Sequence, residues 1–238
     1  MKYFLDSAPV SFEQFQQKFP EESKILALWH SNDLEVWATE GSLSYRLGHL
    51  TKIGIDWSKT LERHMRTFYK RSPYQENLAR ALGIKKDQDR DLKVLDATAG
   101  LMSDSLMMLA LGLRNLTLCE RHPLLQVLVI NTLKQSDKLS RLKFFPQDAL
   151  ELNQQFDVIF FDPMYQETNK RSASKKQMVF MREVVGTDED ADKIALNLRG
   201  ICRRLVIKRS QKASPLLGTP NHQVKGKSTD YDIYFNND

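Results

Sequence analysis

Between residues 93 and 161 the chain alternates short apolar runs with segments of helical periodicity, and this alternation limits what it can fold into more than any other feature. Strands are expected over 93–97, 116–119, 143–145 and 156–161, with helices over 103–111 and 123–134 between them. Further on, helices are expected near 176–185 and over 188–199, and strands over 204–208 and 231–235. The strand segments are almost continuously apolar, as in Val158-Ile159-Phe160-Phe161, which is the pattern of parallel strands covered on both faces. Repeated β-α-β order therefore implies an α/β fold: a mostly parallel twisted sheet with helices on both faces, whose ligands lie outside the carboxyl ends of the strands.

The first 70 residues have a different texture. A polar helix-like piece (11–19), an apolar one (24–29) and alternating runs over 34–39 and 43–47 read as a small α+β region with a hairpin, turning at Glu40-Gly41-Ser42. Residues 74–83 then show helical spacing and end in Gly83, suited to the position just past a helix; a charged linker, 85–91, follows. The expected organisation is a small N-terminal α+β region, 1–70, before an α/β domain, 71–238. With 238 residues, 41% of them apolar, the chain can bury a core of that size. Its longest apolar runs fall well short of the roughly 20 residues of a bilayer span, and the N-terminus lacks the pattern of a secretory signal. A cytoplasmic protein follows, with a monomer favoured. The two cysteines, Cys119 and Cys202, sit in no CxxC or Cys/His cluster, so neither a disulfide framework nor a metal site is expected.

The first strand of the α/β series runs through Val94-Leu95 into Asp96-Ala97-Thr98-Ala99-Gly100, a turn of small residues where the backbone can approach a ligand closely. Two of the three glycines of the dinucleotide fingerprint are missing, and Asp96 would repel a pyrophosphate. The acid favours instead a ligand carrying positive charge, such as a sulfonium and an α-amino group. Glu120 stands about 20 residues further on, where a carboxylate accepts hydrogen bonds from both hydroxyls of a ribose. Asp148, after the third strand, is placed to receive the exocyclic amine of an adenine. Each acid also has an ordinary use: Asp96 and Asp148 as helix caps, Glu120 as a partner of Arg121. Three acids after three successive strands, with one small-residue turn, point jointly to S-adenosylmethionine.

The fourth strand runs into Asp162-Pro163-Met164-Tyr165. Methyl transfer to an exocyclic amine requires the nitrogen lone pair to be turned toward the methyl, and acceptors for both amine hydrogens achieve this. Asp162 and the Pro163 carbonyl can be those acceptors, and Tyr165 can stack on the base, worth roughly 1–3 kcal/mol. Asp162, Pro163 and Tyr165 are thus the candidate catalytic residues. A motif of this kind also serves adenine-N6 and protein glutamine acceptors, and a non-catalytic RNA-binding assembly protein could keep the same scaffold.

The cofactor turn extended to Leu101, Glu120-Arg121, Asp162-Pro163-Met164-Tyr165, Lys175-Lys176-x-Met178, Val185-Gly186-x-Asp188-x-Asp190-Ala191-Asp192, Val206-x-Lys208-Arg209 and Tyr231-Asp232-Ile233-Tyr234 occur in this order. Over residues 74–235 the chain resembles the bacterial ribosomal small-subunit RNA guanine-N2 methyltransferase J family. The resemblance implies a class I, Rossmann-like methyltransferase fold, S-adenosylmethionine as donor, and methylation of the N2 amine of one guanine in 16S ribosomal RNA. Beside the turn residues Asp96, Ala97 and Gly100, it implies cofactor contacts at Ser103, Asp104, Glu120, Arg121, Asp148, Ala149 and Asp162. The net charge of +5 gathers in basic clusters. Lys170, Arg171, Lys175 and Lys176 follow the acceptor motif, and Lys208 and Arg209 end the fifth strand. Both groups are expected at a rim where phosphates of ribosomal RNA or of the small subunit would pass.

Overall fold

The computed structural model describes residues 1–29, 33–50, 52–70, 72–164, 179–180 and 183–236, and in them two β-sheets share an apolar core. The first sheet has the order β2-β1-β3-β4-β5, built from β1 (Lys2–Leu5), β2 (Ala8–Val10), β3 (Leu34–Thr39), β4 (Ser42–Leu47) and β5 (Ile53–Gly54). Helix α1 (Phe12–Lys18) starts from a capping box: Ser11 N–H donates to Gln14 Oε1 at 2.9 Å and Gln14 N–H to Ser11 Oγ at 3.3 Å. Helix α2 (Pro20–Leu26) carries its proline in the first turn, where no N–H is needed. In the expected hairpin, Leu34, Val36 and Ala38 of β3 and Leu43 and Tyr45 of β4 face the core. Its turn takes φ 50° at Glu40 and 80° at Gly41, the double left-handed geometry that matches strand twist. Strands β1, β2 and β5 escaped the sequence reading because they are too short to show a period.

The Arg- and Lys-rich residues 63–70 belong to a 14-residue helix, α3 (Trp57–Lys70). Trp57, Leu61, His64 and Phe68 lie inward at spacings of three and four, while Arg63 and Arg66 face solvent.

The second sheet has the order β11-β12-β10-β9-β6-β7-β8. Its strands are β6 (Lys93–Asp96), β7 (Asn115–Cys119), β8 (Lys143–Phe145), β9 (Phe156–Phe161), β10 (Cys202–Ser210), β11 (His222–Lys225) and β12 (Thr229–Phe235). Strands β6 to β10 are parallel, β12 is antiparallel to β10, and β11 is antiparallel to β12. The helices are α4 (Asn77–Leu82), α5 (Ser103–Ala110), α6 (Pro123–Leu133), α7 (Asp137–Ser140) and α8 (Ala191–Gly200). Only β11 and α7 among these were not expected; the first is a polar edge strand and the second a single turn. The helix expected near 176–185 lies mostly outside the described residues.

Side-chain alternation divides the core. Val94, Val158, Phe160 and Val206 join an apolar cluster that continues into Phe15, Leu26, Val36 and Tyr45 of the N-terminal region. Leu95, Ile159, Phe161, Leu205 and Ile207 join a second cluster with Ile194 and Leu198 of α8. The first cluster thus spans both sheets. Helix α6 is buried on nearly every side because it lies between them. Its Asn131 donates from Nδ2 to the Gly41 carbonyl at 2.9 Å and accepts Leu43 N–H on Oδ1 at 2.9 Å, pinning the hairpin to the helix. Among the described residues no helix is long and apolar enough to cross a membrane.

Strand β10 runs two residues beyond its expected end, and this corrects one expectation. Arg209 is not at a rim but 6% exposed inside the sheet edge, with Nε bonded to Asp232 of β12 and its guanidinium 3.7 Å from Asp230. Removing one member of a buried ion pair costs about 3–5 kcal/mol, because the other charge stays desolvated. Asp232→Ala is therefore expected to lower the midpoint of urea unfolding by an amount equivalent to that range. A midpoint equal to wild type would contradict the pairing.

Candidate active site

The turn after β6 is shaped by both neighbouring strands. Ala97 N–H donates to the Phe160 carbonyl of β9 at 2.9 Å, and Ala99 N–H to the Cys119 carbonyl of β7 at 2.8 Å. Gly100 and Met102 take φ 54° and 59°, so the chain reverses tightly into α5. Asp96, ending β6, is 1% exposed. One of its oxygens accepts Thr98 N–H at 3.2 Å and the other the Ser105 hydroxyl. Desolvation, reinforced by Asp104 and Asp162, pushes its pKa up to about 7 against the pull of those hydrogen bonds.

Glu120 follows β7 and is buried against the same turn. Its Oε2 accepts Gly100 N–H at 2.8 Å and its Oε1 accepts His122 N–H at 2.7 Å, while desolvation raises its pKa. A carboxylate offers roughly four lone-pair positions, so capacity is left there for a further donor such as a ribose hydroxyl. The Arg121 guanidinium turns away from Glu120. It reaches Asp190 at 3.0 Å, Asp188 more closely still, and Asp148 at 3.7 Å. Asp148 itself caps the short turn at Ala149–Glu151, accepting Leu150 N–H at 2.9 Å, and Ala149 is buried.

The segment that follows β9 is tied to the turn after β6. Asp162 N–H donates to Thr98 Oγ1 at 2.8 Å, Pro163 is buried, and Met164 N–H donates to Asp188 Oδ2 at 2.7 Å. Lys208 was expected at the rim, yet its Nζ lies inside the site, 2.8 Å from Asp162 Oδ2 and 2.6 Å from Asp104 Oδ2. Desolvation pushes the Asp162 pKa up to about 6, with Lys208 opposing. Ser103 stands exposed at the start of α5. Beyond Asp104 opens a cleft of about 220 Å³ lined by residues that include Glu76, Asn77, Met107, Lys227 and Tyr231. Tyr165, Lys170, Arg171, Lys175 and Lys176 lie outside the described residues.

Four further residues enter the site that were not among the candidates. Thr98 and Ser105 lie within or just after the turn, so a hydroxyl count there would have found them. Asp188 belongs to an acidic run whose signal was visible but whose target was not. His64, from α3, is buried beside the Ser103 backbone with Asp104 and Glu76 near it, and burial lowers its pKa.

A seven-stranded sheet of this order, with small-residue turn and acids at three neighbouring strand ends, is the architecture of a nucleoside-cofactor methyltransferase. Comparison with known proteins agrees. The family model described as "Putative SAM-dependent methyltransferase" matches residues 13–236. A ribosomal RNA small subunit methyltransferase J from Saccharophagus degradans is 35% identical, with 66% of each chain covered. The protein of that name from Coxiella burnetii is 32% identical, covering 76% of this chain and 73% of its own. This chain spans about two thirds of the length of the first of these relatives. The crystal structure of a SAM-dependent methyltransferase from Neisseria gonorrhoeae shares the fold at a TM-score of 0.67, with 22% identity and 98% and 95% of the chains covered. The chain belongs to the ribosomal RNA small subunit methyltransferase J family of S-adenosylmethionine-dependent methyltransferases.

A carboxyl whose folded pKa is raised binds its proton more tightly in the native state, so stability falls as pH rises from the unfolded value to the folded one. For Asp96 that window runs from about 4 to about 7. Asp96→Asn removes the titration, so the variant should gain stability relative to wild type across this window. Parallel stability curves from denaturant titrations at several pH values would refute it.

Proposed function

We propose that the protein methylates the exocyclic N2 amine of a guanine in 16S ribosomal RNA, acting in the cytoplasm on the RNA or on the small subunit. The observation that carries this reading is the bond from Asp162 N–H to Thr98, which sets the acceptor motif directly against the cofactor turn. Asp96, Ala97, Gly100, Ser103, Asp104, Glu120, Arg121, Asp148, Ala149 and Asp162 form the proposed cofactor site. S-adenosylmethionine supplies, when bound, a methyl group on a sulfonium, already electrophilic without a metal. The protein's part is orientation, which can contribute up to about 7–11 kcal/mol when the reacting atoms are held in line. Asp162 accepts one amine hydrogen, the Pro163 carbonyl the other, and Tyr165 stacks on the base. The cleft beside Asp104 is smaller than the roughly 300–1,000 Å³ of pockets for drug-sized ligands, and a single base is the scale of group it admits.

The ribosomal substrate is supported by the names of the relatives, and the N2 position by the resemblance of the acceptor motif. Lys170, Arg171, Lys175 and Lys176 supply phosphate contacts in this reading. Lys208 does not, because its ammonium is held by two carboxylates, nor does buried Arg209.

Three outcomes are expected. Ribosomal RNA from a strain lacking the gene should lose one N2-methylguanine by nucleoside mass spectrometry and regain it with the wild-type gene; an unchanged nucleoside profile overturns the proposal, and labelled methyl appearing in DNA or protein fractions redirects it. Asp162→Ala should abolish transfer, with a smaller loss of S-adenosylmethionine affinity than Glu120→Ala brings. Glu120→Ala should instead weaken that affinity by about 1.5–3 kcal/mol in calorimetry, the range for hydrogen bonds to a charged group.

A further inference from the structure

We propose that Lys208 is a positioning residue for the transfer: its ammonium, braced by Asp104, fixes one oxygen of Asp162 and leaves the other as an anionic acceptor for the incoming amine. The inference rests on methyl transfer passing through Asp162. Asp162 is held at both ends, its backbone N–H on Thr98 Oγ1 at 2.8 Å and its Oδ2 on Lys208 Nζ at 2.8 Å. The same Nζ is 2.6 Å from Asp104 Oδ2, so the ammonium spans the first turn of α5 and the end of β9. Among the described residues, no side chain donates to Asp162 Oδ1, the oxygen left for substrate.

The charge around this point makes the role specific. Asp162 is faced by Asp104 of α5, Asp188 ahead of α8 and Asp96 of β6. Tyr231 of β12 lies beside Lys208, Asp104 and Asp162, and His64 of α3 and Glu76 lie near Asp104. Desolvation and three neighbouring acids favour the neutral form of Asp162; Lys208 is the described cation that opposes them. The protonation state matters because a neutral carboxyl donates a hydrogen bond through its O–H, whereas the amine needs an acceptor. In the transfer the amine nitrogen forms a bond to the methyl carbon, the carbon–sulfur bond breaks with its electron pair left on sulfur, and one N–H proton passes to Asp162 Oδ1 and on to water. A carboxyl that is already protonated cannot take that proton.

Two substitutions shift the same group in opposite directions. In Lys208→Met the opposing cation is lost, and the acid limb of the kcat–pH profile should move up by about 1–3 units, the range for an opposite charge at contact distance. In Asp104→Asn a repelling carboxylate is lost and Lys208 is left to Asp162, so the limb should move down. Lys208→Arg, which keeps the charge, should restore a limb near that of wild type. A purely structural bridge would lower kcat in both variants and leave the limb in place.

Titration of the Asp162 carboxyl by ¹³C NMR in the free protein, assigned by its loss in Asp162→Asn, reads the same shifts without substrate. If Lys208→Met does not fold, Asp104→Asn carries the test by the same two readouts. Opposed shifts in profile and resonance support the proposal. An Asp162 titration unmoved by Lys208→Met, or moved upward by Asp104→Asn, overturns it. Opposed resonance shifts in a protein that transfers no methyl to ribosomal RNA would sink the substrate reading and leave the hold of Lys208 on Asp162 intact.

Discussion

The turn after β6 is bonded to the strands on both of its sides, and the site is assembled around those bonds. Ala97 and Ala99 donate to carbonyls of β9 and β7, Gly100 donates to Glu120, and Thr98 receives the N–H of Asp162. A backbone segment buried at the centre of a parallel sheet must satisfy its polar groups, and here the partners are the strand ends that carry Glu120 and Asp162. Holding the turn and holding the acids are therefore one interaction. Ala97 and Ala99 are buried in this turn beside the two strands.

Acids dominate this edge of the sheet, and two cations organise them. Arg121 gathers Asp148, Asp188 and Asp190, and Asp188 in turn closes onto Met164. Lys208 gathers Asp104 and Asp162. Exposed pairs such as Lys59 with Asp56 are worth up to about 1 kcal/mol, whereas a charge withdrawn from water costs several kcal/mol unless it is partnered. The pairs inside the site therefore decide protonation and geometry, and those on the surface decide little. The high pKa values of Asp96 and Asp162 are the residue of that contest, with desolvation ahead of the hydrogen bonds that remain.

The N-terminal region is part of the same construction. Its core residues join the cluster on one face of the large sheet, Asn131 pins its hairpin to α6, and α3 packs on α5 so that His64 reaches the start of that helix. Changes in the first 70 residues can consequently reach the cofactor end through α5 and α6. Nothing in the local sequence around His64 announces this, since its only periodic signal is an inward position on an amphipathic helix.

Local pattern was enough to determine the α/β alternation, the small-residue turn and the acids at strand ends. These are short-range properties, set by a period of two or 3.6 and by which residues tolerate a tight turn. What tertiary structure alone decided is where side chains close in sequence go. Lys208 and Arg209 are adjacent and chemically alike, yet successive residues of a strand face opposite ways, so one reaches Asp162 and the other Asp232. The partner of Lys208 on α5 is 104 residues away along the chain. No sequence period spans such a distance, so the ion pairs that set the chemistry of the site exist only once the sheet has brought its strand ends together.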